Sequence, residues 1–159
     1  MTDSEGLPES ASTAWWRLID EAEELAEDYR GRGRDVLVVH PGDVTAVRKS
    51  DQFGLNVLAP DSEYDRMRSL AERHRFERSH VYRRVEDELR FLLCVFEGGG
   101  DEAVVFVPAY ASETDLDMLY PLAQEAGEMP VLVRPLEYEE RVTLTVADPD
   151  LFFVSGSDG

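Results

Sequence analysis

An α+β fold, with a mostly antiparallel sheet and about three helices packed on it, is what this 159-residue chain predicts. Helical and strand periodicities succeed one another in the order α-βββ-α-βββ-α-ββ. The links between neighbouring strand segments are short, which favours antiparallel pairing, with the helices laid on one face of a curved sheet. Hydrophobic residues make up 43% of the chain, too many for a disordered protein. A domain of this length buries roughly 68–70% of its unfolded surface, so one real core is expected.

Residues 1–11 are polar and acidic and read as a mobile tail, leaving 12–154 as a single domain and 155–159 as a polar tail. Ser12 or Thr13 can cap a helix running to about Arg30, with Trp15, Ile19, Ala22, Ala26 and Tyr29 at helical spacing and acids on the other side. Gly31 and Gly33 stop it. Val36-Leu37-Val38-Val39 is a continuous apolar run that suits an internal strand. His40-Pro41-Gly42-Asp43 is a turn, because proline fixes φ at its second position and glycine accepts a positive φ at its third. Strands follow at 44–48 and 55–58, and Pro60-Asp61 opens a second helix with Tyr64, Met67, Leu70, Ala71 and His74 on one side. Segments 78–84, 89–97 and 102–108 form the next three strands. Ser112 with Asp115 resembles a capping box for the third helix, in which Leu116, Leu119, Tyr120, Ala123 and Ala126 face inward and Pro121 imposes a kink. Two strands, 130–134 and 141–146, precede a helical turn begun by Asp148-Pro149-Asp150 and holding Leu151, Phe152 and Phe153.

Two segments echo each other: Val57-Leu58-Ala59-Pro60 leading to Ser62-Glu63, and Val105-Phe106-Val107-Pro108 leading to Ser112-Glu113. A duplicated β-α-β-β unit would produce the echo. So would convergence, since strand-to-helix links favour proline, serine and acids in that order.

Charge narrows the setting. The chain carries 16 Lys+Arg against 34 Asp+Glu, a net −18, and Lys49 is its one lysine. Self-repulsion on that scale is strong in dilute buffer. At about 1 M salt the Debye length falls to about 3 Å and most of it is screened. Acid excess with arginine in place of lysine therefore reads as adaptation to a salt-rich cytoplasm. Mimicry of nucleic acid is a third reading, disfavoured because arginines such as Arg66 and Arg68 stand among the acids. Nucleic-acid binding is not expected either: the densest basic stretch, from Arg73 to Arg84, is short and interrupted by Glu77. Met1 to Ser10 has no basic or apolar region of a signal peptide, and no apolar run reaches the ~20 residues of a spanning helix, so a cytoplasmic protein away from membranes is expected. Cys94 lies inside Phe91-Leu92-Leu93-Cys94-Val95-Phe96 and behaves as a buried hydrophobe rather than a reactive thiol.

No metal site and no cofactor are expected. His40, His74, His80 and Cys94 share no ligand spacing, and no nucleotide-binding glycine motif or nucleophile elbow is present. Gly98-Gly99-Gly100 is followed by Asp101-Glu102, which would repel phosphate, and so reads as a hairpin loop. The catalytic candidates are His40, at the end of a buried strand, and Asp43, near enough in sequence to orient its ring. The preferred alternative has Asp43 bonding the backbone of the turn while His40 covers the sheet end, since a histidine and an acid without a nucleophile define no mechanism. The binding candidates are Trp16, Tyr110 and Arg134. Successive helix residues point about 100° apart, so Trp15 and Trp16 cannot both enter one core stripe. Trp16 is then either an exposed interface anchor or covered by Phe152-Phe153. Tyr110 and Arg134 stand at strand ends on polar–apolar borders, with Arg134 suited to pairing with an acid.

With these residues in place, the chain resembles an uncharacterised family of small acidic single-domain proteins of halophilic archaea. Trp15-Trp16, His40-Pro41-Gly42-Asp43, Pro108-Ala109-Tyr110, Arg134-Pro135-Leu136 and the run Asp148 to Phe153 carry the resemblance. It implies a shared fold and habitat and brings no activity. The function expected is a non-catalytic cytoplasmic protein-binding or regulatory module adapted to high salt, with a protein partner or a second copy of itself. A small enzyme or ligand-binding protein with a site near His40 and Asp43 is the alternative.

Overall fold

The computed structural model describes residues 9–49, 52–86, 88–98, 102–136 and 141–150. Its elements are α1 (Glu9–Gly31), β1 (Asp35–Val38), β2 (Asp43–Lys49), β3 (Gln52–Leu58), α2 (Asp61–Arg73), β4 (Phe76–Glu86), β5 (Leu89–Gly98), β6 (Ala103–Ser112), α3 (Glu113–Ala126), β7 (Met129–Arg134) and β8 (Val142–Val146). The order is the one the sequence predicts. The expected single sheet is divided into two mixed sheets of four strands, β1-β6-β5-β4 and β2-β3-β7-β8. Four of the pairings are antiparallel, while β1 runs parallel to β6 and β3 parallel to β7.

Alternation along β5 explains its uninterrupted apolar run. Phe91, Leu93 and Val95 face α1, whereas Leu92, Cys94 and Phe96 face a second core shared with the other sheet. Both faces of the β1-β6-β5-β4 sheet are therefore covered, and no position from 91 to 96 is left for a polar residue. Val57, Val131 and Leu144 from the second sheet, Met67 and Leu70 from α2, and Leu116 and Leu119 from α3 complete that inner core.

The helix α1 starts at Glu9, one turn ahead of the expected Ser12 or Thr13, because Ala11 and Ala14 extend its buried stripe. Trp15 is 1% exposed, its ring edge-on to Tyr110 at a centroid distance of 5.2 Å. In α3 the Ser112 side chain accepts from the Asp115 N–H at 3.0 Å, the expected cap, and Gly127 closes the helix at φ 76°. The helix continues through Pro121, and its buried stripe is narrower than expected: Leu116, Leu119 and Ala123 are inside while Tyr120 and Ala126 are exposed. The expected turn at Leu151, Phe152 and Phe153 and both chain ends lie outside the described residues.

Strand β6 runs through Pro108, which pairs with Leu93 of β5. Along β6, residues 104 and 106 direct their backbone groups toward β1, and 108 falls in the same row. Val39 N–H still donates to the Phe106 carbonyl at 2.9 Å, and the ladder stops there because Pro108, next in that row, has no N–H to offer the Val39 carbonyl. Gly54 is required where β3 meets β7. Its φ is +140°, and an added Cβ would stand 2.5 Å from the Pro130 carbonyl oxygen.

Candidate functional site

His40 follows β1 at the point where Pro41 turns the chain out of the sheet. Its ring lies between two helices. Nδ1 is 2.7 Å from Glu63 Oε2 in the first turn of α2, and Nε2 is 2.7 Å from Glu23 Oε2 on α1. The His40 backbone N–H donates to Glu63 Oε1, also at 2.7 Å. Two carboxylates at that distance each require a donor, and imidazole offers two N–H groups only when protonated. The ring is therefore a cation. The hydrogen bond to Glu63 raises its pKa, burial opposes the rise, and the bond to Glu23 adds to it, bringing the group to about 9.

That geometry changes what His40 can do. Both nitrogens are occupied, so the ring has no free lone pair to accept a proton from a substrate. Asp43, expected to orient it, is an exposed residue opening β2 opposite Leu58; the acids that hold the ring are Glu23 and Glu63. Neither was singled out from sequence. Among 34 acids, spacing alone cannot pick the pair that three separate elements bring to one imidazole.

A cavity of about 320 Å³ opens beside this clamp. Leu37 and Val38 of β1 form its floor, Glu23 and Arg30 stand on the α1 side, and Glu63 and Arg66 on the α2 side. Each helix thus places a carboxylate near His40 and a guanidinium further along β1. Arg66 pairs with Asp35 at the start of β1, Arg73 lies 3.9 Å from the same carboxylate, and Arg30 holds Glu27 at 2.8 Å.

Trp16 is 45% exposed beside its buried neighbour, as the 100° rotation requires. It stands seven residues before Glu23, two helical turns or about 10.5 Å along the same flank of α1. Tyr110 belongs to the buried aromatic layer with Trp15 and Phe91. Arg134 is exposed at the end of β7, in one cross-sheet row with Leu58 and Asp43, and its carbonyl accepts from Ala59 N–H at 2.9 Å. None of Trp16, Tyr110 and Arg134 lines the cavity at His40.

A second polar cluster went unread in the sequence. Glu97, on the α1 face of β5, is 7% exposed. It accepts from Arg34 at 3.0 Å and Arg78 at 3.2 Å, and His80 Nε2 lies 3.1 Å away. Burial pushes its carboxyl up, but the Arg34 hydrogen bond and the Arg78 and His80 charges outweigh it and hold the group below its ordinary value. Arg34 also stacks over the Tyr29 ring at 5.0 Å, tying the end of α1 to this cluster. Among the described residues, no group of three or more His, Cys, Asp or Glu is placed to hold a metal ion. No helix among them is long and apolar enough to cross a membrane.

Fold and site together define an α+β domain of two mixed sheets, with a cationic histidine clamped between two helices at the end of an edge strand. The chain belongs to DUF7529, a family of unknown function whose model matches residues 4–154. No curated protein and no solved structure matches it.

Proposed function

We propose that this protein is a non-catalytic binding module that engages a protein partner through the flank of α1 carrying Trp16. The observation behind this reading is the half-exposed Trp16 ring, held on a helix whose other side is anchored by buried Trp15. A rigid helix presenting an aromatic side chain at low entropic cost is what an interface anchor needs. The state of His40 supports the same reading, because an imidazolium clamped on both nitrogens is a structural cation rather than a proton acceptor. We assign the module to a salt-rich cytoplasm of a halophilic archaeon, on the −18 charge and the single lysine. The acids do not act as a nucleic-acid mimic in this reading, since arginines interrupt them in ion pairs such as Arg84–Glu21 and Arg90–Glu113.

The test is association measured at molar KCl. A partner captured on the wild-type protein is purified and titrated against wild type, Trp16→Ala and His40→Ala. Trp16→Ala should weaken binding by about 2 kcal/mol or more, the size of an interface hot spot. His40→Ala should lower stability through loss of the clamp while changing affinity by less than Trp16→Ala does. Retained affinity in Trp16→Ala, together with loss of small-molecule binding in His40→Ala, would replace this reading with the ligand-binding alternative.

A further inference from the structure

The free edge of β1 lies along the cavity floor. Among the described residues this strand ends its sheet, with β6 on one side and no strand on the other. Asp35 and Val39 donate their N–H groups to Glu102 and Phe106 carbonyls of the β6 side at 2.8 and 2.9 Å. In a strand, alternate residues direct both backbone groups to opposite edges. Val36, Val38 and His40 therefore aim theirs away from β6, toward α2 and the cavity. The third member of that row is already engaged by an acceptor: His40 N–H donates to the Glu63 carboxylate. Val38, which lines the cavity, continues the same row, and Val36 is the next member of it beyond the lining residues.

Charge runs along the slot in one direction. At the His40 end two carboxylates, Glu23 and Glu63, share one imidazolium, leaving a net −1. At the other end Arg30, Arg66 and Arg73 stand against Glu27 and Asp35, leaving a net +1. From His40 to Asp35 is about 16 Å of strand rise, at ~3.3 Å per residue. An extended chain with a basic residue at one end of that span and an acidic residue at the other matches both poles, and its main chain supplies alternating N–H and C=O groups to the row.

We propose that an extended segment of a partner protein adds to the edge of β1 in this slot, bonded to the backbone of Val36 and Val38 and held in register by Glu23 and Glu63 at one end and Arg30 and Arg66 at the other. The proposal deepens the binding reading above and rests on it: the segment enters along the α1 flank that carries Trp16.

The probe is an acetylated, amidated hexapeptide of alternating valine and threonine, ending in arginine on one side and glutamate on the other, made in both charge orders. Amide ¹⁵N–¹H shifts of the full chain are followed at the lowest KCl that retains the fold. Saturable shifts centred on Val36 and Val38 are expected, with one charge order binding at least tenfold tighter. Val38→Pro removes the N–H aimed into the slot and none that β6 receives, so it should weaken the probe at least tenfold. Arg30→Glu, on the exposed side of α1, should do the same for the preferred charge order and keeps the test decisive if the proline variant fails to fold. Shifts mapping elsewhere, equal binding of both orders, or a response only to a free dipeptide with charged ends would overturn strand addition. The captured partner separates the two readings. If Trp16→Ala weakens it and Val38→Pro does not, the binding module stands and strand addition falls; if neither matters, both fall.

Discussion

Cys94 sits at the middle of β5, opposite Val81 on one side and Val107 on the other, and is fully buried. Burial without any nearby positive charge pushes its thiol up to about 12, so almost no thiolate forms at neutral pH. Native protein should react with a maleimide only as fast as it opens globally, and labelling within seconds would contradict the central placement of β5. The sequence made this residue legible because its five apolar neighbours from Phe91 to Phe96 leave no polar side to the strand. The Trp15 and Trp16 contrast was half legible for a similar reason: helix geometry separates the rings, but which one is buried depends on the sheet below. Truncating Trp15 to alanine would cost about 3–5 kcal/mol, in the range of large buried aromatics. Glu97 was illegible. Its importance comes from Arg34 and His80, 63 and 17 residues away, and nothing local marks it among the other acids.

At the scale of elements, helices and strands came through in the right order because periodicity is a local property. Their pairing came through only in part. Short links predict antiparallel neighbours, and β2-β3, β4-β5, β5-β6 and β7-β8 obey. The parallel pairs join strands separated by whole helices, β1 to β6 and β3 to β7, and no short-range signal carries them. The repeated strand-to-helix segments share one structural role. Through α2 the chain leaves β3 of the second sheet for β4 of the first, and through α3 it leaves β6 of the first for β7 of the second. Their leading strands are alike in their neighbours: β3 stands between antiparallel β2 and parallel β7, and β6 between antiparallel β5 and parallel β1. The parallel contact of β3 with β7 depends on Gly54, where φ is +140° and the Pro130 carbonyl leaves no room for a side chain. Gly54→Ala should therefore destabilise the fold by about 1–3 kcal/mol, read as a lower denaturant midpoint with an unchanged m-value. Wild-type stability in that variant would show the β3–β7 approach to be looser than described.

For the whole molecule, a net charge of −18 sets the conditions under which every contact operates. Screening at molar salt removes most of the self-repulsion. The thermal midpoint should rise steeply between dilute buffer and molar KCl, and a flat midpoint across that range would remove the salt-adapted reading. Close pairs such as His40 with Glu23 and Glu63 are partly buried and should survive that salt better than exposed ones. The clamp has its own pH signature. Its folded-state pKa of about 9 exceeds the ordinary 6.5, so its stabilisation is fully present below about 6.5 and lost as pH rises through 9. On this clamp rests the view that the molecule binds rather than catalyses. The most direct measurement is a ¹⁵N NMR titration of the His40 ring in the native protein. Both nitrogens should be protonated at neutral pH, with a midpoint near 9. A midpoint at or below 6.5, with one nitrogen bare at neutral pH, would contradict the clamp and return His40 to the catalytic candidates.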